Sequence, residues 1–161
     1  MMPPAVKFIT VGSLKEAYLR EAVAEYRKRL SGHCRVEELE LKESRLSDRP
    51  SEAEIRAALA REGAEIRAAI PPRSFPVALC VEGEKLSSPA LTAKLQDACR
   101  SASSLCFIIG SSHGLDPSVK AAARLRLSVS DLTFPHQLMR VILYEAIYRC
   151  YQIDLGTKYH K

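Results

Sequence analysis

Leu105-Cys106-Phe107-Ile108-Ile109-Gly110-Ser111-Ser112-His113-Gly114 is the stretch whose reading decides the fold. An unbroken apolar run from Leu105 to Ile109 is what a strand buried on both faces looks like, as in a parallel sheet covered by helices. The run passes straight into Gly110, where the missing Cβ lets a ligand approach the main chain. The turn is neither a P-loop nor a dinucleotide fingerprint, because the lysine of the first and the three-glycine spacing of the second are both lacking. Taken alone, it reads most simply as an ordinary strand-to-helix connection.

The same grammar extends on either side. Upstream, Val77-Ala78-Leu79-Cys80-Val81 is a second short apolar strand, ended by Glu82-Gly83 and a loop. Ser87 or Ser88 then caps a helix that takes Pro89 in its first turn and points Leu91 and Leu95 inward. Downstream, Lys120 to Ala123 lies in a short helix. Leu125, Leu127 and Val129 alternate with Arg126, Ser128 and Ser130, so a strand ends near Asp131 and hands over to Leu132-Thr133-Phe134-Pro135. The last helix starts at Pro135 and extends to about Ile153.

Towards the N-terminus, Ala5 to Val11 reads as a buried strand. Ser13-Leu14-Lys15-Glu16 has the S-x-x-E form of a capping box, which places a helix start at Gly12 or Ser13. Leu19, Val23, Tyr26 and Leu30 share one face of that helix, and Gly32 ends it. Cys34 to Leu41 suits a strand with one wetter face. Lys42 to Arg49 is a polar loop whose Lys42, Arg45 and Arg49 could touch a phosphate backbone, although a solvated linker is the plainer reading. Ser51 to Glu54 repeats the capping box, Ile55, Leu59, Ile66 and Ile70 mark the helix that follows, and Pro71-Pro72 stops it. Strands separated by helices predict a parallel α/β sheet with helices on both faces. Ligands bind such sheets outside the carboxyl ends of the strands. Three loops should meet there: Glu82-Gly83, Gly110 to Gly114, and Ser130 to Phe134.

Composition sets the limits. With 161 residues, 47% of them hydrophobic and 27% charged, the chain is sized for one domain and is neither disordered nor of low complexity. Its net charge of +5 is compatible with a polyanionic partner without requiring one. No apolar stretch approaches the roughly 20 residues of a membrane span. The opening MMPPAVKF lacks the build of a secretory signal, so a cytoplasmic location is expected. Cys34, Cys80, Cys99, Cys106 and Cys150 form no C-x-x-C pair and have no histidine at zinc-ligand spacing, so no metal is expected. Cys80, Cys106 and Cys150 sit in apolar runs and read as core residues.

From Leu138 to Ile153 only Arg140, Glu145, Arg149 and Gln152 are polar. A helix apolar around most of its circumference must be enclosed by protein, and a two-fold homodimer in which it packs on its own copy would enclose it. The alternative is burial within one chain. Glu145 precedes Arg149 by one helical turn, the favourable order for an ion pair, and Arg140 has no such partner. In the terminal Gly156-Thr157-Lys158-Tyr159-His160-Lys161, Tyr159 can stack or hydrogen-bond, His160 can move a proton, and the lysines can meet phosphates; a free disordered tail is the plainer reading. His33 and His136 read as structural. His113 is open to either reading.

Phe107-Ile108-Ile109-Gly110 with Gly114-Leu115, then Leu132-Thr133-Phe134-Pro135-His136, Arg140-Val141, Tyr144-Glu145, Tyr148-Arg149 and the terminal Tyr159-His160, together resemble the large-subunit ribosomal RNA pseudouridine N3-methyltransferases of the SPOUT superfamily. Val11-Gly12, Glu25-Tyr26 and Leu79 before Gly83 are similar as well. The resemblance covers essentially the whole chain. It implies a single α/β SPOUT domain over residues 1–161, with a cofactor-binding region of about 77–161 threaded into a C-terminal trefoil knot. It further implies S-adenosylmethionine held in a bent form by Leu79, Gly110, Val129, Ser130, Asp131, Leu132, Thr133 and Phe134. A homodimer through the knot region is implied too, with the tail of one protomer reaching the site of the other. The implied substrate is a large-subunit pseudouridine on the assembled ribosome, methylated at N3 without a metal. Tyr159 or His160 would then orient the base or assist its deprotonation, and Arg140 would hold RNA or developing charge. The chain departs from the family pattern at Ser111, where a second glycine is common. A SPOUT enzyme acting on transfer RNA and a non-catalytic RNA-binding module of the same fold are the competing readings.

Overall fold

The alternation of apolar strands and amphipathic helices closes into one layered sheet in the computed structural model, which describes residues 1–161. The elements are β1 (Ala5–Val11), α1 (Ala17–Ser31), β2 (Arg35–Leu41), α2 (Glu52–Ala69), β3 (Ser74–Lys85), α3 (Ser88–Ala98), β4 (Ser104–Ile109), α4 (Pro117–Ala122), β5 (Leu125–Ser128) and α5 (His136–Asp154). The strands run in the order β2-β1-β4-β3-β5, and every neighbouring pair is parallel. Side chains alternate across each strand, so the sheet has two apolar faces. Val6, Phe8, Phe107 and Val77 lie in one core cluster with residues of α1, α3 and α5. Ile9, Val11, Cys106 and Ile108 lie in a second with Ile66 of α2 and Val119 of α4.

α5 is seated by specific contacts. The Tyr144 ring stacks on Phe8 with centroids 4.0 Å apart and planes 16° from parallel. Burial pushes the Tyr144 phenol far above its ordinary pKa, so it stays neutral. Arg140, only 4% exposed, reaches from the first turns of α5 to the carboxyl ends of β2 and β1. It donates to Glu40 Oε2 at 2.9 Å and to the Gly12 carbonyl at 2.8 Å. At the far end, Tyr151 donates to the Pro3 carbonyl, and Asp154 accepts from Gln96 and the Met2 amide.

Several sequence expectations change. Ser13 caps nothing: α1 starts at Ala17, after Glu16. Leu14 turns into the core instead, while the Leu14 and Lys15 carbonyls accept from Arg20 and the Lys15 amide donates to Gln137. β3 does not end at Glu82-Gly83. After a register shift beyond Leu79 it continues to Lys85, paired with β5. Gly83 permits this close pairing, since a Cβ there would lie 2.6 Å from the Leu127 main chain. β5 stops at Ser128, short of Asp131. The buried stripe of α2 is Ala58, Glu62, Gly63 and Ile66, with Ile55 and Leu59 half-buried, while its Ser51 capping box forms as expected. Cys80 is half-buried at the carboxyl end of β3 rather than in the core. Cys106 is fully buried, and burial pushes its thiol up to about 12.

The Phe8 and Tyr144 stack predicts that Tyr144→Ala costs about 3–5 kcal/mol, whereas Tyr144→Phe, which keeps the ring, costs little. Urea denaturation followed by circular dichroism measures both.

Candidate active site

The carboxyl ends of β3, β4 and β5 enclose a cavity of about 760 Å³. Parallel pairing brings the three expected loops to one edge: Glu82 from the first, Gly110 to Gly114 from the second, and much of 129–134 from the third. The cavity is of the size of small-molecule sites, roughly 300–1,000 Å³. Its walls are apolar at Leu79, Ile109, Leu115, Leu127, Phe134 and Met139. The rim is polar at Glu82 and Lys120, which are ion-paired, and this contact holds the Glu82 carboxyl below its ordinary range.

Seven of the eight residues expected to hold a cofactor line this cavity: Leu79, Gly110, Val129, Ser130, Leu132, Thr133 and Phe134. Asp131 does not; its carboxylate is exposed and paired with Lys85. The 129–134 loop makes no main-chain to main-chain hydrogen bonds. Its shape comes from side chains, with Ser128 Oγ donating to the Ser130 carbonyl at 3.2 Å and Ser130 Oγ accepting the Leu132 amide at 3.0 Å. Most of the loop's amides and carbonyls are therefore available to a ligand, and such groups need a partner once water is excluded. Gly110 is packed from behind, since a Cβ there would lie 2.2 Å from the Gly114 carbonyl oxygen. Ser111 is buried and bridges to Gly114, keeping the turn tight. This donor set and these apolar walls fit an adenosyl-type ligand.

His113 and His136 also line the cavity. His136 is shared with a second hollow, of about 410 Å³, at the carboxyl ends of β1 and β2. Neither Met139 nor Lys120 was legible as cavity lining in the sequence, because each reaches the site only through helix packing, whereas Glu82 belongs to the first of the expected loops. No group of three or more His, Cys, Asp or Glu side chains is placed to hold a metal ion.

The terminal residues gather elsewhere. Thr157 Oγ1 donates to Gln152, and the tail turns back along α5. Glu145 Oε1 accepts from Arg149 Nη2 at 2.6 Å and from the Tyr159 hydroxyl at 3.0 Å. The Arg149 guanidinium lies 4.8 Å from the Tyr159 ring centroid, and its Nη1 is 3.4 Å from His160 Nδ1. Tyr148 meets the Tyr159 ring edge-on at 5.0 Å. Partial burial and donation to Glu145 push the Tyr159 phenol above its ordinary pKa. Arg149, which the sequence offered only as a helix ion pair, is thus the hub of the tail. Arg140 joins neither cluster, since its guanidinium is buried against Glu40 and Gly12. The cavity and the tail also stand apart. No residue of the tail lines the cavity: along α5 the lining ends at Met139 and the tail cluster begins at Glu145, six positions and about 9 Å of helical rise further on.

The face of α5 between them is incompletely covered. Ile142 and Ala146 are half-buried, and Leu138, Val81 and Leu132 are exposed around the cavity mouth. The opposite face of α5, with Leu143, Tyr144, Ile147, Cys150 and Tyr151, is buried in the core cluster it shares with α1, α3 and the sheet.

A model of the family described as "Predicted SPOUT methyltransferase" matches residues 5–160. The chain is 46% identical over 157 residues to the ribosomal RNA large subunit methyltransferase H of Streptococcus thermophilus (strain CNRZ 1066), covering 97% of this chain and 99% of that protein. Proteins of the same name from Leuconostoc mesenteroides and from Streptococcus sanguinis (strain SK36) are 45% and 43% identical over the same length. With its parallel sheet and its cavity at the carboxyl ends of β3, β4 and β5, the chain belongs to the SPOUT methyltransferase family.

Proposed function

We propose that this chain, as a homodimer, transfers a methyl group from S-adenosylmethionine to N3 of a pseudouridine in large-subunit ribosomal RNA, on assembled ribosomes in the cytoplasm. The observation that carries the reading is that Tyr159, His160 and Arg149 form a cluster none of whose members lines the adenosyl-sized cavity. Folding alone does not bring these two parts together. Two copies of α5 packed antiparallel through Leu138, Ile142 and Ala146 would set the tail of each protomer over the cavity of the other. The ribosomal RNA substrate is supported by the names of relatives that match nearly the full chain. The same reading takes residues 1–161 as one domain with a knotted cofactor region of about 77–161.

The bound cofactor supplies an electrophilic methyl group on a sulfonium. The chain would then hold N3 in line with it while the imide proton passes to solvent water, and positioning of this kind is a large part of such catalysis. Leu79, Leu127 and Phe134 would enclose the apolar part of the ligand, and the main chain at Gly110 and 129–134 would take its polar edges. Tyr159, held neutral with its O–H given to Glu145, positions the tail and offers its ring to the base rather than acting as a base. His160 faces Arg149 through Nδ1; when that nitrogen accepts from Arg149, the proton of the neutral ring is on Nε2. Nε2–H then points a donor at a carbonyl oxygen of the base, where negative charge develops as N3 loses its proton. Arg149 adds a fixed positive charge beside it. Arg140 acts at one remove, holding the start of α5 and with it the 129–134 loop.

Labelled S-adenosylmethionine incubated with ribosomes, free ribosomal RNA and transfer RNA is expected to label a large-subunit pseudouridine at N3, and only in ribosomes. Label on transfer RNA, or on none of them, contradicts the reading. Tyr159→Phe, which breaks the contact to Glu145 and loosens the tail, is expected to lower kcat about ten- to a hundredfold, the scale of a misplacement of about 1 Å. Because the phenol stays protonated, the shape of the pH profile between about pH 6 and 9 should not change. A profile that loses an ionisation in Tyr159→Phe would make the phenol a base.

A further inference from the structure

The cofactor cavity does not end at its own rim. His136 also lines the hollow at the carboxyl ends of β1 and β2, whose other walls include Lys15, Lys42 and Glu43. Lys42 and Glu43 are shared in turn with a third hollow, which adds Arg45, Arg61, Glu62 and Glu65. Three depressions thus form a continuous track along the carboxyl edge of the sheet, from the cofactor cavity past His136 to the side of α2.

The charges along this track are not spent inside the chain. Lys15, Lys42, Arg45 and Arg61 are exposed, and none of them makes a side-chain hydrogen bond or an ion pair. By contrast, Lys85, Lys94 and Lys120, off the track, are each paired with a carboxylate. The acidic groups on the track are partly occupied: Glu40 by Arg140, and Glu62 Oε2 by the Ser44 amide at 2.9 Å. Glu62 is 5% exposed, and its Oε1 has no partner.

We propose that this track is the docking surface for the unpaired RNA strand adjoining the methylated nucleotide, which runs from the cofactor cavity past His136 and across Lys15, Lys42, Arg45 and Arg61. The inference rests on the RNA-methyltransferase reading above and adds the path that the substrate takes. Unpaired cations at successive positions suit phosphates, and their counterions are released on binding. The interspersed carboxylates at Glu43 and Glu65 suit the amino groups of unstacked bases or ribose hydroxyls, which a single strand exposes and a duplex largely hides. A purely basic stripe would bind any polyanion, whereas this mixture selects a strand with accessible bases. The polar loop 42–49 thereby gains a function that a solvated linker would not have.

The test uses the full-length protein and purified ribosomes. Affinity is measured by sedimentation at several salt concentrations for the wild type, for a Lys15→Ala, Lys42→Ala, Arg45→Ala triple variant, and for a control of equal charge change, Lys28→Ala, Arg35→Ala, Arg67→Ala. The control residues are exposed cations away from the track. The track variant should bind at least about tenfold more weakly, with the salt slope reduced by about 2, since each lost phosphate contact removes about 0.7–0.9. S-adenosylmethionine affinity should be unchanged, and the control should behave as wild type. An unchanged Kd and slope in the track variant, or equal losses in both variants, overturns the proposal while ribosome methylation by the wild type leaves the functional reading standing. A wild type that neither binds nor methylates ribosomes removes that reading, and the track with it.

Discussion

The seating of α5 is the constraint on which the rest depends. Two contacts fix it: the Tyr144 ring flat on Phe8 in the middle of the sheet, and the Arg140 guanidinium clamped between Glu40 and the Gly12 carbonyl. The first is an apolar stack deep in the core. The second is a charge taken out of water, tolerable because a carboxylate and a carbonyl meet it, and costly to leave unpaired. The helix thereby has one position and one rotation. Two parts of the proposed site hang from its ends, with the 129–134 loop leading in and the Tyr159 and His160 tail leading out.

The two ends are built on different physics. The cavity end uses main chain. β3, β4 and β5 stop at the same edge, and the loop after β5 is held by serine hydroxyls, so its own amides and carbonyls remain for a ligand. The tail end uses side chains, in which Glu145 gathers Arg149 and Tyr159, and Arg149 in turn meets His160. Each end is ordered by contacts within its own chain. A second copy would therefore meet a site half-assembled rather than one that folds on binding, which lowers the entropic cost of forming it.

The sheet was legible because fully apolar runs such as Leu105 to Ile109 have one reading, and its parallel order followed from the helices between them. The meeting of three loops at one edge followed from the same topology. What escaped was set by tertiary contact. The Ser13 capping box had the right letters, yet Leu14 is worth more in the core than as the first turn of a helix. Glu82-Gly83 looked like the end of a strand, but close approach of the Leu127 main chain to Gly83 carries β3 onward. Asp131 shares a loop with its neighbours and turns the other way, to Lys85. Arg140 looked unpartnered because its partner is a hundred residues away on β2. The resemblance to a known family supplied what periodicity does not, namely the methyl donor, the substrate and the importance of the last residues.

The account stands on one claim, that the cavity of one protomer works with the tail of another. Mixing two inactive proteins tests it most directly, one lacking residues 157–161 and the other carrying Leu79→Arg to fill the cavity. Unfolding and refolding the mixture forms dimers in which one protomer brings an intact cavity and its partner an intact tail. The account predicts that methyl transfer to ribosomes, absent from either protein alone, returns in the mixture. Mixed dimers that form, as judged by co-purification of two different tags, and yet stay inactive would place cavity and tail in the same chain and contradict it.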